Sequence, residues 1–295
     1  MNNYPDFIII GAMKCATTTL HEQLAAQSGI FMSEPKEPNF FSDSPEYEQG
    51  IEWYKALFQS ADADDLCGES STHYTKLPTY PQTIERIQSH LPEGMKFIYM
   101  MRHPVDRLVS QYIHEWSQCN ITVDINQAIY SHPELIQYSQ YSMQLKPYLD
   151  KFGPQNVLPV FMERFRSHPQ EELERICRFI GYSAKPTWVE EITQQHLSNE
   201  RMKKSAWRDF LVDAPILSLL RRTLVPKGVR TWVRSWWQMK KRPELEPVQQ
   251  DYLQTIFDED LSVLGTWLGV ELNCQEFKST VVKEPSEWAD LIQLN

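Results

Sequence analysis

Residues 6–20 read Asp6-Phe-Ile-Ile-Ile-Gly-Ala-Met-Lys-Cys-Ala-Thr-Thr-Thr-Leu20, and this stretch decides the fold. A β-branched apolar run ends at Gly11. Lys14 follows, and then Thr17, Thr18 and Thr19 stand where a helix begins. A strand that turns into a helix in this way aims backbone N–H groups and a helix N-terminus at an anion. Lys14 adds a point charge and the threonines add short donors. The turn therefore predicts a grip on a phosphorylated or sulfated ligand. It is not the common nucleotide loop, in which four intervening residues separate the first glycine from Gly-Lys-Ser/Thr. Here Lys14 comes only three residues after Gly11, and Cys15 and Ala16 separate it from the hydroxyls.

Working outward, strands are predicted at 7–11, 64–69, 96–101 and 156–162. Helices are predicted at 17–27, 46–58, 79–91, 104–118, 140–152 and 168–181. In the last helix Leu173, Ile176, Cys177 and Ile180 make one apolar face. Strands alternating with helices predict an α/β domain whose parallel sheet carries helices on both faces. Ligands of such sheets sit beyond the carboxyl ends of the strands. That rule brings Gly11–Thr19, Glu69–Tyr74 and Arg102–Ser110 to one rim. After about residue 182 the strand signal fades. A helix at 246–268 is expected there, with Val248, Tyr252, Leu253, Ile256, Leu264 and Trp267 buried. The whole chain, 1–295, reads as one domain with a core at about 5–182 and a helical C-terminal extension at about 183–295.

The chain has 295 residues and a net charge of −10, which does not advertise nucleic-acid binding. Its five cysteines, at 15, 67, 119, 177 and 274, are scattered without metal spacing. Reduced thiols and a cytoplasmic location are the expectation. No apolar run is long enough to span a membrane, and the N-terminus lacks the basic start of a signal peptide. Positive charge is concentrated in 215–243, where Arg221, Arg222, Lys227, Arg230, Arg234, Lys240, Lys241 and Arg242 surround Trp232, Trp236 and Trp237 without any Asp or Glu. Three readings stand for this stretch: an acceptor-binding surface, a peripheral membrane contact, or tryptophans packed on the core beneath solvated charges.

A second anion site is encoded in Lys96-Phe-Ile-Tyr-Met-Met-Arg-His-Pro-Val-Asp-Arg-Leu-Val-Ser-Gln-Tyr112. Arg102 ends a strand at the inferred rim, and its planar fork suits phosphate. Ser110 lies two turns into the helix that follows. The alternative makes Arg102 a salt-bridge partner of Asp106.

Together these motifs resemble the sulfotransferases that use 3′-phosphoadenosine 5′-phosphosulfate, especially the bacterial members and the heparan sulfate branch. The resemblance covers about residues 5–182. It implies a P-loop-like fold in which Lys14, Cys15, Ala16, Thr17, Thr18 and Thr19 hold the 5′-phosphosulfate, and Arg102 with Ser110 holds the 3′-phosphate. Pro35-Lys-Glu-Pro-Asn-Phe-Phe41 matches the segment whose glutamate is the family's base, which assigns that role to Glu37. Tyr138–Phe152 and Asn156–Phe165 match the family's next helix and strand. Lys203 and Lys204 fall where the family closes a loop over the 3′-phosphate. One position departs from the pattern. The heparan sulfate branch has a lysine where this chain has Ser70, and Lys36 is the candidate substitute. His73, in Glu69-Ser-Ser-Thr-His-Tyr74, is the second candidate base.

The expected chemistry is sulfuryl transfer to an acceptor hydroxyl on a carbohydrate, lipid or small metabolite. Lys14 serves as the cation, and no metal is needed. Burial is expected to raise the pKa of Glu37 towards neutrality. The rivals are a nucleotide-dependent kinase and a catalytically silent protein that binds membranes or polyanions on the same fold.

Overall fold

The computed structural model describes residues 4–192 and 241–289. Lys203, Lys204 and 215–240 of the basic stretch lie outside these residues. Five strands form one sheet: β1 (Phe7–Gly11), β2 (Ile30–Met32), β3 (Leu66–Ser70), β4 (Lys96–Met101) and β5 (Val157–Phe161). Their order is β2-β3-β1-β4-β5, and every pair is parallel. β1 is central and wholly buried, as its unbroken apolar run requires. The chain winds from β1 to one side of the sheet through β2 and β3, and then crosses to β4 on the other. The order therefore reverses at β1, and the crevice for a ligand opens at its carboxyl end.

The helices that flank the sheet are α1 (Thr17–Ala25), α2 (Ser44–Tyr47), α3 (Ile51–Ala56), α4 (Thr83–His90), α5 (Pro104–Ser117), α6 (Ile125–Ser131), α7 (Glu134–Gln137), α8 (Tyr141–Phe152), α9 (Met162–Ser167), α10 (Pro169–Phe179), α11 (Pro247–Leu268) and α12 (Phe277–Lys283). A 3-10 turn at Thr72–Thr75 follows β3. The predicted helix 46–58 is two helices, because Gly50 has φ +81° and breaks it. β2 was not anticipated. It has three residues, and it pairs only with β3.

The carboxyl-terminal helices are part of the frame that holds the rim. On α11 the buried face runs through Leu253, Phe257, Leu261, Leu264 and Leu268. Val248 and Tyr252, expected inside, are 70% and 41% exposed. At 100° per residue Tyr252 lies a full step off that stripe and Val248 lies on its far side. From α11, Asp260 caps the amino end of α8. Its carboxylate accepts Ser142 Oγ at 2.5 Å, Ser142 N at 3.1 Å and Met143 N at 3.3 Å. From α12, Phe277 packs edge-on against His103 and Phe161.

Gly11 closes β1 with φ +155°. A Cβ there would collide with Thr75 Oγ1, which donates to Ile10 O at 2.7 Å, and would crowd the Tyr99 ring. The last residue of β1 is thus small because the 3-10 turn after β3 occupies its space. Gly11→Ala is expected to cost about 1–3 kcal/mol, a typical overpacking penalty, as read from urea unfolding midpoints.

Candidate functional site

The turn after β1 is tied to β4 by a backbone bond, Ala12 N–H to Met100 O at 2.7 Å. Lys14 and Ala16 both adopt left-handed backbone conformations, with φ of 71° and 65°. Alternating hand of this kind curls a backbone so that successive amides converge on a concave side. Ala16 is the N-cap of α1 and offers no side-chain cap. The amides of Thr17, Thr18 and Thr19 begin the helix, so they have no acceptor within it. An uncapped first turn with its positive dipole end facing the rim is a seat for an anion. Cys15 sits inside the turn with no exposed surface, and burial pushes its thiol up to about 12. It is a neutral packing group at the loop, not a nucleophile.

Arg102 stands two residues beyond Met100, just as Lys14 stands two beyond Ala12, so both hang from the same hydrogen bond. Tyr141, the first residue of α8, pins the Arg102 backbone. Its hydroxyl donates to Arg102 O at 2.5 Å and accepts Arg102 N at 3.2 Å. Glu163 Oε1 accepts the next amide, from His103, at 2.9 Å. Arg102 is not the salt-bridge partner of Asp106. That carboxylate pairs with Lys278 Nζ at 2.6 Å and Arg242 Nη2 at 3.3 Å. Arg102 Nε is instead buried without a hydrogen-bond partner. A buried cationic donor left this way is open to an acceptor from outside the protein, a water, an ion or a ligand. Ser110 lies on α5 and is buried.

The loop that carries Glu37 is stitched to the end of β3. Glu37 N donates to Ser70 O at 2.9 Å, Asn39 N to Ser71 Oγ at 3.0 Å and Phe41 N to Tyr74 Oη at 3.3 Å. Glu37 itself has φ 58°. Its Oε1 meets Lys36 Nζ at 2.8 Å and its Oε2 accepts Thr72 Oγ1 at 3.0 Å. Burial pushes the Glu37 pKa up, but the Lys36 ammonium, the Thr72 hydroxyl and the charge of Lys76 outweigh it, and the net shift is downward. The expected rise towards neutrality is therefore wrong, because adjacent cations counter desolvation. Glu69, one strand residue before Ser70, is the carboxyl that burial raises, to about 8. It is protonated at neutral pH and does not oppose the Glu37 charge.

The Lys36–Glu37 loop thus docks on Ser70, the position where the resemblance expects a lysine. His21 of α1 closes the same corner, with Nδ1 2.9 Å from Ser70 Oγ. Burial, together with the Lys36 charge, pushes its pKa down to about 4, so the ring is neutral. His73 belongs to a separate arrangement. Its Nδ1 lies 2.9 Å from Asp43 Oδ1, and its ring stacks on Tyr80 at 4.9 Å. The sequence reading missed His21 and Lys76. Burial pushes the Lys76 pKa down to about 8. Its only sequence signal is its place just past Glu69–Tyr74, and His21 follows the threonines without belonging to any motif. Among the described residues no group of three His, Cys, Asp or Glu side chains forms a metal site, and no helix is long and apolar enough to cross a membrane.

Comparison with known proteins gives the family of the chain. A sulfotransferase domain model matches residues 4–265. The chain is 27% identical over 199 residues to the human bifunctional heparan sulfate N-deacetylase/N-sulfotransferase 2, a match covering 60% of this chain and 22% of that protein. It is 30% identical over 186 residues to the mouse heparan sulfate glucosamine 3-O-sulfotransferase 3B1, covering 60% of this chain and 46% of that protein. The chain thus spans less than half the length of either curated relative. Among solved structures it is similar to a sulfotransferase from Alicyclobacillus acidocaldarius, with a TM-score of 0.64, 23% identity and coverage of 91% and 97% of the two chains. It also resembles mouse sulfotransferase SULT7A1 complexed with PAP, with a TM-score of 0.50, 14% identity and coverage of 87% and 84%.

Because Lys36 holds Glu37 in its charged form, removing the ammonium should raise the carboxyl pKa. Lys36→Met is expected to move it up by about one unit or more, followed as the side-chain carboxyl shift in a ¹³C NMR titration.

Proposed function

The chain belongs to the sulfotransferase domain family, and from that membership we propose that it moves a sulfuryl group from 3′-phosphoadenosine 5′-phosphosulfate to an acceptor hydroxyl. The observation that carries the reading is the pair of anion seats, the uncapped start of α1 and the unpartnered Arg102 Nε, on either side of the Ala12–Met100 bond. A nucleotide with phosphates at both ends of its ribose fits two seats better than one. The PAP named in the SULT7A1 complex is such a nucleotide.

When bound, the donor supplies the sulfuryl group, whose bond to the acceptor oxygen forms as its bond to the 5′-phosphate breaks. Lys14 and the amides of Thr17–Thr19 neutralise charge that grows on the leaving phosphate. Such fixed donors at a developing charge are the main lever of this chemistry. The threonine hydroxyls add donors to the same seat. Arg102 and Ser110 hold the 3′-phosphate and fix the nucleotide's orientation, which positions the reacting atoms. Glu37 accepts the proton of the acceptor hydroxyl. Its lowered pKa keeps it ionised across the neutral range, so the base is ready before the acceptor arrives. Lys36 supplies the second cation that Ser70 does not, and Thr72 keeps the carboxylate in place. The acceptor is a carbohydrate, lipid or small metabolite. The names of the two heparan sulfate relatives support a carbohydrate.

Calorimetry with adenosine 3′,5′-bisphosphate tests the donor site. Lys14→Ala and Arg102→Ala should each weaken binding about tenfold or more, the scale of a lost charge-assisted bond. Undiminished affinity in both would sink the assignment. Magnesium-dependent turnover of ATP without the sulfated donor would favour a kinase instead.

The base is tested by turnover. Glu37→Gln should keep bisphosphate affinity while kcat falls by about two to four orders of magnitude. If His73→Ala alone produces that loss, His73 is the base.

A further inference from the structure

Arg107 lies on α5 between Arg102 and Ser110 and has no exposed surface. Its Nε donates to Ser139 Oγ at 2.5 Å. Its Nη2 donates to Gln111 Oε1 at 2.5 Å and to Leu135 O at 3.1 Å, and its Nη1 to Met13 O at 3.4 Å. All four acceptors are uncharged. Fully buried arginines are rare unless they are paired with a carboxylate, and a buried charge without a counter-ion is costly. Among the described residues no ion pair reaches this guanidinium. Arginine does not escape by losing its proton. The charge therefore stands inside the fold, satisfied in its hydrogen bonds but not neutralised.

One of its contacts reaches the anion-binding turn. Met13 O accepts Arg107 Nη1 and lies 3.9 Å from Cys15 Sγ, which also points a donor at it. A trans peptide is planar, with its carbonyl and the following N–H pointing opposite ways. Drawing the Met13 carbonyl inward to Arg107 therefore turns the Lys14 amide outward from the core.

We propose that Arg107 is a positioning residue for the donor's 5′-phosphosulfate: it aims the Met13–Lys14 peptide, and its buried charge finds its counter-ion in the anion bound by that turn. The inference rests on the sulfotransferase reading and adds a cation that never touches the ligand. A fixed positive charge just beneath the seat acts through a low-dielectric interior, where its field is poorly screened. It also explains why the turn does without a side-chain cap at Ala16. The space left open is for an anion that the interior already attracts.

The test compares wild type, Arg107→Gln and Arg107→Lys by calorimetry, with circular dichroism to verify the fold. The ligands are adenosine 3′,5′-bisphosphate, adenosine 5′-phosphate and adenosine 3′-phosphate. Arg107→Gln is expected to lose about tenfold or more in affinity for the two ligands with a 5′-phosphate, the scale of a charge-assisted contact. It should lose little for the 3′-phosphate, and Arg107→Lys should recover most of the loss. An equal loss for all three ligands, or the same loss in both variants, marks a purely structural arginine and overturns the proposal. So does wild-type affinity in Arg107→Gln. If wild type itself does not bind the bisphosphate, the sulfotransferase reading falls first and the inference falls with it. Should neither variant fold, ¹⁵N-arginine spectra of wild type decide. A buried guanidinium resonance that shifts with the 5′-phosphate but not with the 3′-phosphate supports the proposal, and one that ignores both refutes it.

Discussion

The hydrogen bond from Ala12 N–H to Met100 O joins the turn after the central strand to the end of the next. The two anion seats of this site are measured from it. On one side it sets the origin of the turn that carries Lys14 and leads into α1. On the other it sets where Arg102 leaves the sheet. Parallel strands bring their carboxyl ends to one rim, and the reversal of strand order at β1 keeps that rim uncovered. Tyr141 then fixes the Arg102 backbone, and Asp260 caps the helix that presents Tyr141. A residue of the C-terminal helix α11 thereby helps to hold the Arg102 backbone in the first half of the chain.

The electrostatics of the rim run against the charge of the whole chain. The molecule carries a net −10, yet Lys14, Lys36, Lys76, Arg102 and Arg107 gather around the rim. Two carboxyls among them are driven apart. Burial keeps Glu69 protonated to about pH 8, while cations hold Glu37 below the ordinary carboxylate range. Environments that separate two similar groups in this way usually divide labour between them. Here one carboxyl becomes a neutral part of the wall and the other an anion in the resting site. The neutral ring of His21 beside them adds no competing charge.

The sequence revealed what depends on local pattern. The apolar run of β1, the Gly11-to-Thr19 turn, the strand ending at Arg102 and the apolar face of Leu173, Ile176 and Cys177 are all written in consecutive residues, and all appear in the fold. Features set by distant packing were not legible. β2 is three residues long and exists because β3 lies beside it. Val248 and Tyr252 are apolar, but they lie off the stripe that α11 buries. The pKa of Glu37 turned on Lys36 and Thr72, one adjacent and one across a loop, and burial alone predicted the wrong sign. Arg107 sat inside a motif already read for Arg102 and Ser110. Nothing in that string of residues says that its side chain turns inward, to Ser139 and Met13, and not to solvent.

Several unfavourable features of this structure gather at the crevice. Positive φ values at Lys14, Ala16, Glu37 and Asn39 fall in the two loops that border the crevice. The unpartnered Arg102 Nε, the unpaired charge of Arg107 and the uncapped helix start lie along the same rim. Each costs stability in isolation, and a chain selected for stability alone would have removed them one by one: a Ser or Asp in place of Ala16, a neutral residue in place of Arg107. Strain and unmet polar groups persist where a ligand relieves them. Their signs agree as well. The three unmet groups named here are donors or positive charges, and an anion with more than one acceptor would satisfy them together. A nucleotide bearing phosphate at both its 3′ and 5′ positions meets that requirement.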